Sequence, residues 1–310
     1  MSGGTHLHLV QSGPGSDHGP SVVAIGGGHG LAASLRAVRT YASEITAVVS
    51  VADDGGSTGR LRAEIDRPAP GDLRKCLVAL ADDSSSLAAA MEHRFAEGEL
   101  DGHAFGNLLI IAMAETLGDV SSADLVTALD EIGRLLGAAG RVLPATTVPV
   151  ELRGTTDSGR VTAGQVAVGE SEHLSTVSLV PEDAPACVEA VDAIGRADQI
   201  VLGPGSLYTS VLAATAVQGI RDALAAADGQ LVYVCNLRPQ EPESDGYGVA
   251  HHLSALERHG VVPDVVLYDP DAIGDASAID SAVPGLLARP SGLAHDPVLL
   301  GKALDSIARS

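Results

Sequence analysis

At 310 residues and 45% hydrophobic side chains, the chain is long enough for one large α/β domain with a substantial core and too apolar for general disorder. A formal net charge of -21, with no Trp, two Phe and five Tyr, argues against a nucleic-acid polymer as partner, because such binding draws on clustered cations and aromatic platforms. Three scattered cysteines (Cys76, Cys187, Cys235) without a CxxC pair, and no apolar run near the roughly 20 residues of a membrane span, point to a reducing, cytoplasmic compartment and no membrane insertion.

Residues 1–20 are polar and Gly-rich and read as a flexible tail, with a solvated tail preferred over a metal site at His6 and His8. Residues 21–310 read as a single domain. An apolar run at 21–25 stops at Gly26, Gly27 and Gly28, and helical spacing follows over 31–41, with Leu31, Leu35 and Val38 on one face. Residues 45–51, rich in β-branched side chains, give a second strand, so the segment reads as a βαβ unit. The next residues, from Asp53 to Arg60, read as a long acidic and Gly-rich loop. Helices are predicted at 73–81, 86–95, 104–117 and 122–136, with Asp72 and Ser122 as N-caps. From 141 to 180 the pattern becomes a β-rich insertion, with a turn signal at 155–159 and a period-two run at 161–168. Strands at 199–202, 230–235 and 264–268 restore the α/β rhythm. The predicted class is α/β: a Rossmann-like, mostly parallel sheet flanked by helices, which binds ligands at the carboxyl ends of its strands.

Those strand ends hold the candidate chemistry. Gly28-His29-Gly30-Leu31-Ala32-Ala33 fits the G-x-G-x-x-A form of a phosphate turn, after a strand and opening a helix; glycines placed for close strand-helix packing are the alternative. No Gly-Lys-Ser/Thr follows, which excludes a Walker A loop. Asp53 and Asp54, followed by Gly55, Gly56 and Ser57, read as a cradle for a metal or for polar ligand groups, against a plain Asx-turn loop. Arg60, Arg62, Arg67, Arg74 and Lys75 concentrate five of the 19 basic residues between positions 60 and 75, a patch suited to a phosphorylated, nucleotide-type small molecule or else a solvated face. His103 and Asn107 share a helix face, where phosphate contact competes with capping and packing. Gly203, Gly205, Ser206 and Thr209 repeat the strand, Gly turn and helix logic and read as a second phosphate or sugar site; Asn236 and Gln240 are amides suited to base or sugar edges. His251 and His252, adjacent on a helix, and the three cysteines read as ordinary packing residues. No Gly-x-Ser-x-Gly and no His-Glu-x-x-His occurs, which removes the serine hydrolase elbow and the zincin.

Taken together, Ile25 to Gly30, Val51 to Gly59, Gly71 to Leu77, Gly102 to Leu108, Gly203 to Ser210 and Tyr233 to Asn236 resemble, in order, the motifs of the YvcK/CofD-like family, in particular its gluconeogenesis-factor branch. That resemblance implies a Rossmann-like fold, self-association as a homodimer or higher homo-oligomer, and UDP-sugar binding tied to gluconeogenic growth, cell shape and cell-wall precursor supply. For the CofD branch it implies a Mg²⁺-dependent transferase using a nucleotide diphosphate donor, with the metal at Asp53, Asp54 and Asp72. The chain departs from the family pattern at Lys75, where Asn is usual, and over residues 238–244, both of which bear on ligand choice. A non-catalytic regulator is the preferred reading, the transferase the alternative, and an NAD-linked oxidoreductase the weakest of the three.

Overall fold

Uninterrupted aliphatic runs make the centre of the protein. In the computed structural model, which describes residues 19–64, 67–117, 122–292 and 294–310, the strands are β1 (Ser21–Gly26), β2 (Glu44–Val49), β3 (Arg141–Pro144), β4 (Glu151–Thr156), β5 (Val161–Ala163), β6 (Leu174–Val180), β7 (Gln199–Leu202), β8 (Gln230–Val234), β9 (Val265–Tyr268) and β10 (Ala282–Pro284). The helices are α1 (Gly28–Val38), α2 (Gly56–Glu64), α3 (Pro70–Leu80), α4 (Ser86–Glu92), α5 (Phe105–Thr116), α6 (Ser122–Leu136), α7 (Gln165–Gly169), α8 (Val188–Arg196), α9 (Ala213–Thr215), α10 (Gln218–Ala226), α11 (Val249–Arg258), α12 (Pro270–Ile273) and α13 (Pro297–Ala308); a π-helical segment, Leu207–Leu212, leads into α9. The tail histidines His6 and His8, and the side chains of Arg62 and Ser122, lie outside the described residues.

Seven strands form one parallel sheet in the order β10-β9-β8-β7-β1-β2-β3. β1 and β7 are buried along nearly their whole length, which is why they read as continuous rather than alternating apolar runs. The chain moves outward from β1 through β2 to β3, then crosses back to place β7 on the other side of β1. The order therefore reverses between β1 and β7, and a crevice opens there at the carboxyl ends. α1 packs against α3 and α13, and α8 lies across β1, β2 and β3 with α10 beside it. Among the described residues no helix is long and apolar enough to cross a membrane.

Several boundaries differ from the sequence reading, each for a physical reason. The strand at 141–144 is the edge of the main sheet, paired with β2, so the insertion proper is the antiparallel sheet β5-β4-β6. The run at 161–168 splits into β5 and α7, because Gly164 turns the chain at φ +95° and a distant carboxylate caps the helix that follows. Helix α2 starts at Gly56, inside the predicted loop. Asp72 is in the first turn of α3 rather than at its N-cap, which is Ala69.

The crevice depends on two glycine turns meeting. A Cβ on Gly30 would lie 2.2 Å from the Pro204 carbonyl oxygen and 2.6 Å from Gly205 Cα, both backbone atoms that cannot swing aside. Gly30→Ala is expected to cost about 1–3 kcal/mol in urea unfolding. Gly195, near the end of α8 with nothing within 4 Å of an added Cβ, is the control: Gly195→Ala should be neutral or stabilising by up to about 1 kcal/mol. Equal effects at the two sites would refute the close-approach account.

Candidate functional site

β1 delivers the chain into the first turn with Gly26 at φ +154° and Gly28 at φ +63°, the latter a left-handed conformation open to glycine. Gly27 is the N-cap of α1, and no side chain caps that helix. Its first amides are thus free of a side-chain acceptor, at the positive end of the helix dipole. The second turn docks on the first: Gly203 N donates to Ile25 O at 3.0 Å, and Ser34 Oγ donates to the Gly203 carbonyl. Asn236, at the end of β8, clamps the same turn from the far side, accepting from Gly205 N at 3.1 Å and donating to Gly205 O at 2.9 Å. Between these elements lies a cleft of about 620 Å³, whose wall includes His29, Gly30, Gly205, Asn236, Gln240 and His295.

Beside the first turn stand two carboxylates. A Cβ on Gly27 would lie 2.6 Å from Asp72 Oδ2, and one on Gly71 would lie 2.7 Å from Asp53 Oδ2. Burial, reinforced by Asp72, pushes the Asp53 carboxyl above the ordinary aspartate range. Lys75 Nζ pairs with Asp72 Oδ1 at 2.9 Å. Burial and then the Lys75 charge hold His29 below the usual histidine range, which favours a neutral ring. Asp54 is turned elsewhere. Its two oxygens accept from Gln165 N and Val166 N, both at 3.0 Å, and cap α7 of the insertion. The three acids therefore do not converge, and among the described residues no group of three His, Cys, Asp or Glu side chains is placed to hold an ion. Asp53 and Asp72 suit an ion such as Mg²⁺, which uses one or two carboxylates, keeps waters and takes further oxygens from phosphates.

The predicted cationic patch disperses. Arg74 is buried, its Nε donating to Asn107 Oδ1 at 3.1 Å and its Nη1 to Glu92, while Arg60 donates to the Asp101 carbonyl at 2.7 Å. Lys75 pairs with Asp72 on α3, whose carboxylate abuts Gly27. Asn107 also donates to Ser57 Oγ at 3.2 Å, and Ser57 Oγ lies 3.2 Å from His103 Nδ1. Ala104 N donates to the same oxygen at 3.4 Å, so Ser57 Oγ accepts from two groups beside the His103 ring. The Ser57, His103, Asn107 and Arg74 group ties α2, α3 and α5 together.

At the second turn the expected phosphate position is filled from within. Glu243, 5% exposed, accepts from Tyr208 N at 2.5 Å, Thr209 N and Thr209 Oγ1 each at 3.3 Å, and Ser206 Oγ. The start of the π-helical segment already holds an anion, so Ser206 and Thr209 serve an internal cap. Burial raises the Glu243 carboxyl above the ordinary range against these donors. Of the predicted residues, His29, Gly30, Gly205, Asn236 and Gln240 line the cleft; Gly26, Gly27, Gly28 and Gly203 shape its turns; Gly55 N donates to Asp53 Oδ1 at 2.9 Å. Glu243 falls in the 238–244 segment, read in the sequence only as a departure from the family pattern, and His295 joins the cleft wall with no local motif to mark it.

Comparison with known proteins places these features in context. The family described as "2-phospho-L-lactate transferase CofD" matches residues 22–283. The "Gluconeogenesis factor" of Halalkalibacterium halodurans is 41% identical over 253 residues, 80% of this chain and 77% of its own length. That of Bacillus subtilis is 38% identical over 273 residues, 86% and 84% of the two chains. A crystal structure of a UPF0052 family member from Bacillus halodurans is 35% identical and superposes with a TM-score of 0.85 over 93% of this chain and 99% of that one.

Two outcomes test the electrostatics. Asp53→Asn should raise the stability of the ligand-free chain at pH 7 by about 0.5–2 kcal/mol, since it removes a like charge near Asp72 and keeps an acceptor for Gly55 N. A folded pKa raised above the unfolded value near 3.8 stabilises fully below that value, and the contribution is lost as pH rises through the folded pKa. The advantage of the variant should therefore vanish in urea melts taken below pH 4, and a pH-independent gap would contradict the assignment. Glu243→Ala, which strips the acceptor from two amides and two hydroxyls, should cost about 2–4 kcal/mol; a loss under 0.5 kcal/mol would show the cap to be idle.

Proposed function

The chain belongs to the family of CofD and the bacterial gluconeogenesis factors, and from that premise we propose that it binds a nucleotide-linked sugar of the UDP type and acts as a cytoplasmic regulator coupling gluconeogenic carbon metabolism to cell shape and cell-wall precursor supply. One observation carries the reading: a cleft at the reversal point of the sheet runs from His29 and Gly30 on α1 past Gly205 to Asn236, Gln240 and His295. Its volume falls in the range of small-molecule sites. Two helix starts near the cleft take carboxylates of the chain itself, Asp54 on α7 and Glu243 on the segment at Leu207, whereas α1, whose start follows the first glycine turn, has no side-chain cap. The diphosphate is assigned to α1 for that reason, with Lys75 as the nearby cation. Sugar and base fall to the β8 end. Self-association as a homodimer or higher homo-oligomer is part of the proposal.

The acid pair beside α1 supports a second reading, a Mg²⁺-dependent transferase using a nucleotide diphosphate donor. Asp53 and Asp72 would hold the ion, and the ion, when bound, neutralises charge on a leaving diphosphate. In that reading the chain's part is to orient the donor along the cleft and to keep Asp54 committed to the insertion.

Thermal melts with UDP-sugars, GDP, NAD and Mg²⁺ separate the readings. A ligand at a hundred times its dissociation constant adds about 2.7 kcal/mol of stability, and a UDP-sugar should shift the melt where NAD does not. Lys75→Ala should weaken the shift. No response to any UDP-sugar would sink the regulator reading; Mg²⁺-dependent consumption of a nucleotide diphosphate donor, lost in Asp53→Asn, would establish the transferase.

A further inference from the structure

An anion drawn to the start of α1 meets a carboxylate there, and that juxtaposition calls for a cation. Asp72 Oδ2 comes so close to the backbone of Gly27, the N-cap of α1, that a Cβ on Gly27 would lie 2.6 Å from it. Asp53 approaches Gly71, the residue before Asp72, in the same way. Two devices can remove the repulsion between these acids and a phosphate. One is a divalent cation shared by carboxylate and phosphate, the other a basic side chain of the protein.

The second device is already in place. Lys75 follows Asp72 by three residues on α3, so the two side chains share a helix face, and Nζ donates to Asp72 Oδ1 at 2.9 Å. The Asp72 side chain is 6% exposed and that of Lys75 24%, so the carboxylate is covered by an ammonium that solvent still reaches. Only one of the three ammonium protons goes to Asp72, which leaves two for phosphate oxygens. The charge is felt at His29 in the cleft wall, held down by burial and then by Lys75, and at Asp53, which burial and then Asp72 push up and Lys75 draws back. Arg74 and Arg60 give no help, being spent on Asn107 with Glu92 and on the Asp101 carbonyl. A magnesium ion on Asp72 Oδ1, at its usual distance of roughly 2.1 Å, would stand within about 5 Å of the ammonium, so the two cations compete for one carboxylate. We propose that Lys75 is a specificity-determining residue, a built-in counter-ion whose ammonium takes the place of a divalent cation at Asp72, so that the cleft binds the metal-free diphosphate of its ligand. This rests on the cleft being the nucleotide site, and it weighs against the transferase reading, in which Asp72 has to be released to an ion.

Calorimetric titration of the full chain with UDP and with UDP-glucose, each in EDTA and in Mg²⁺, tests this. The variant is Lys75→Gln, which keeps most of the reach and a donor for Asp72 but carries no charge. Wild type is expected to bind in EDTA to within about threefold of its affinity in Mg²⁺. In Lys75→Gln the affinity in EDTA should fall roughly ten- to hundredfold, and Mg²⁺ should restore most of it. Wild-type binding that is lost in EDTA overturns the proposal by itself, whatever becomes of the variant, and leaves the cleft reading standing. A Lys75→Gln chain that binds in EDTA as wild type does overturns it too. A loss in Lys75→Gln that Mg²⁺ does not restore makes Lys75 a plain phosphate contact, and the exchange of ammonium for ion is then wrong. No binding of either nucleotide by wild type, in EDTA or in Mg²⁺, overturns the cleft reading and the proposal together.

Discussion

Backbone against backbone is the contact on which this architecture turns. Gly30 lies flush on Pro204 and Gly205, so the turns after β1 and β7 meet without any side chain between them. Ser34 and Asn236 fasten the contact from opposite sides. Because the sheet order reverses at the same place, the crevice that every open parallel sheet has there is narrowed to a cleft with rigid, amide-rich walls. Side chains in this region orient themselves to a frame that the glycines set.

Within that frame the acids have a division of labour. Four carboxylates stand near the strand ends, and of these Asp54 and Glu243 hold helix starts, at separations of 111 and 35 residues from the amides they cap. Asp53 and Asp72 remain as a like-charged pair next to the open start of α1. A protein of net charge -21 can place acids at helix starts with ease. The start of α1 takes no such side-chain cap.

Much of this was legible in the sequence, because strands that end in glycine or asparagine announce a parallel sheet and its binding edge. The parallel sheet, the glycine turns at 26–30 and 203–205 and the insertion all follow from local pattern. What could not be read were long-range debts. A capping carboxylate is indistinguishable by spacing from a metal ligand, so Asp54 was grouped with Asp53 and Asp72. Clustered arginines have no direction in a sequence, and Arg74 proved to face Asn107 and Glu92 rather than the glycine turn. The alternating run at 161–168 reads as a strand until Gly164 and a cap from residue 54 impose a helix. His295 has no neighbouring motif at all, and its place in the cleft wall becomes visible only in the fold.

The insertion gains a different meaning from the way it is tied down. Helix α7 leans on Asp54, Gln165 Nε2 donates to the Thr209 carbonyl at 3.0 Å, and Tyr208 Oη donates to the Leu174 carbonyl at 2.8 Å. Its threads thus run to the loop after β2 and to the segment that follows the second glycine turn. Excising such a segment would not return a smaller, working sheet; it would strand a carboxylate and a phenol that were partnered across it. The three-stranded piece is accordingly no cassette that can be lifted out or transplanted whole: it is stitched to the elements that carry the second glycine turn and the acidic loop.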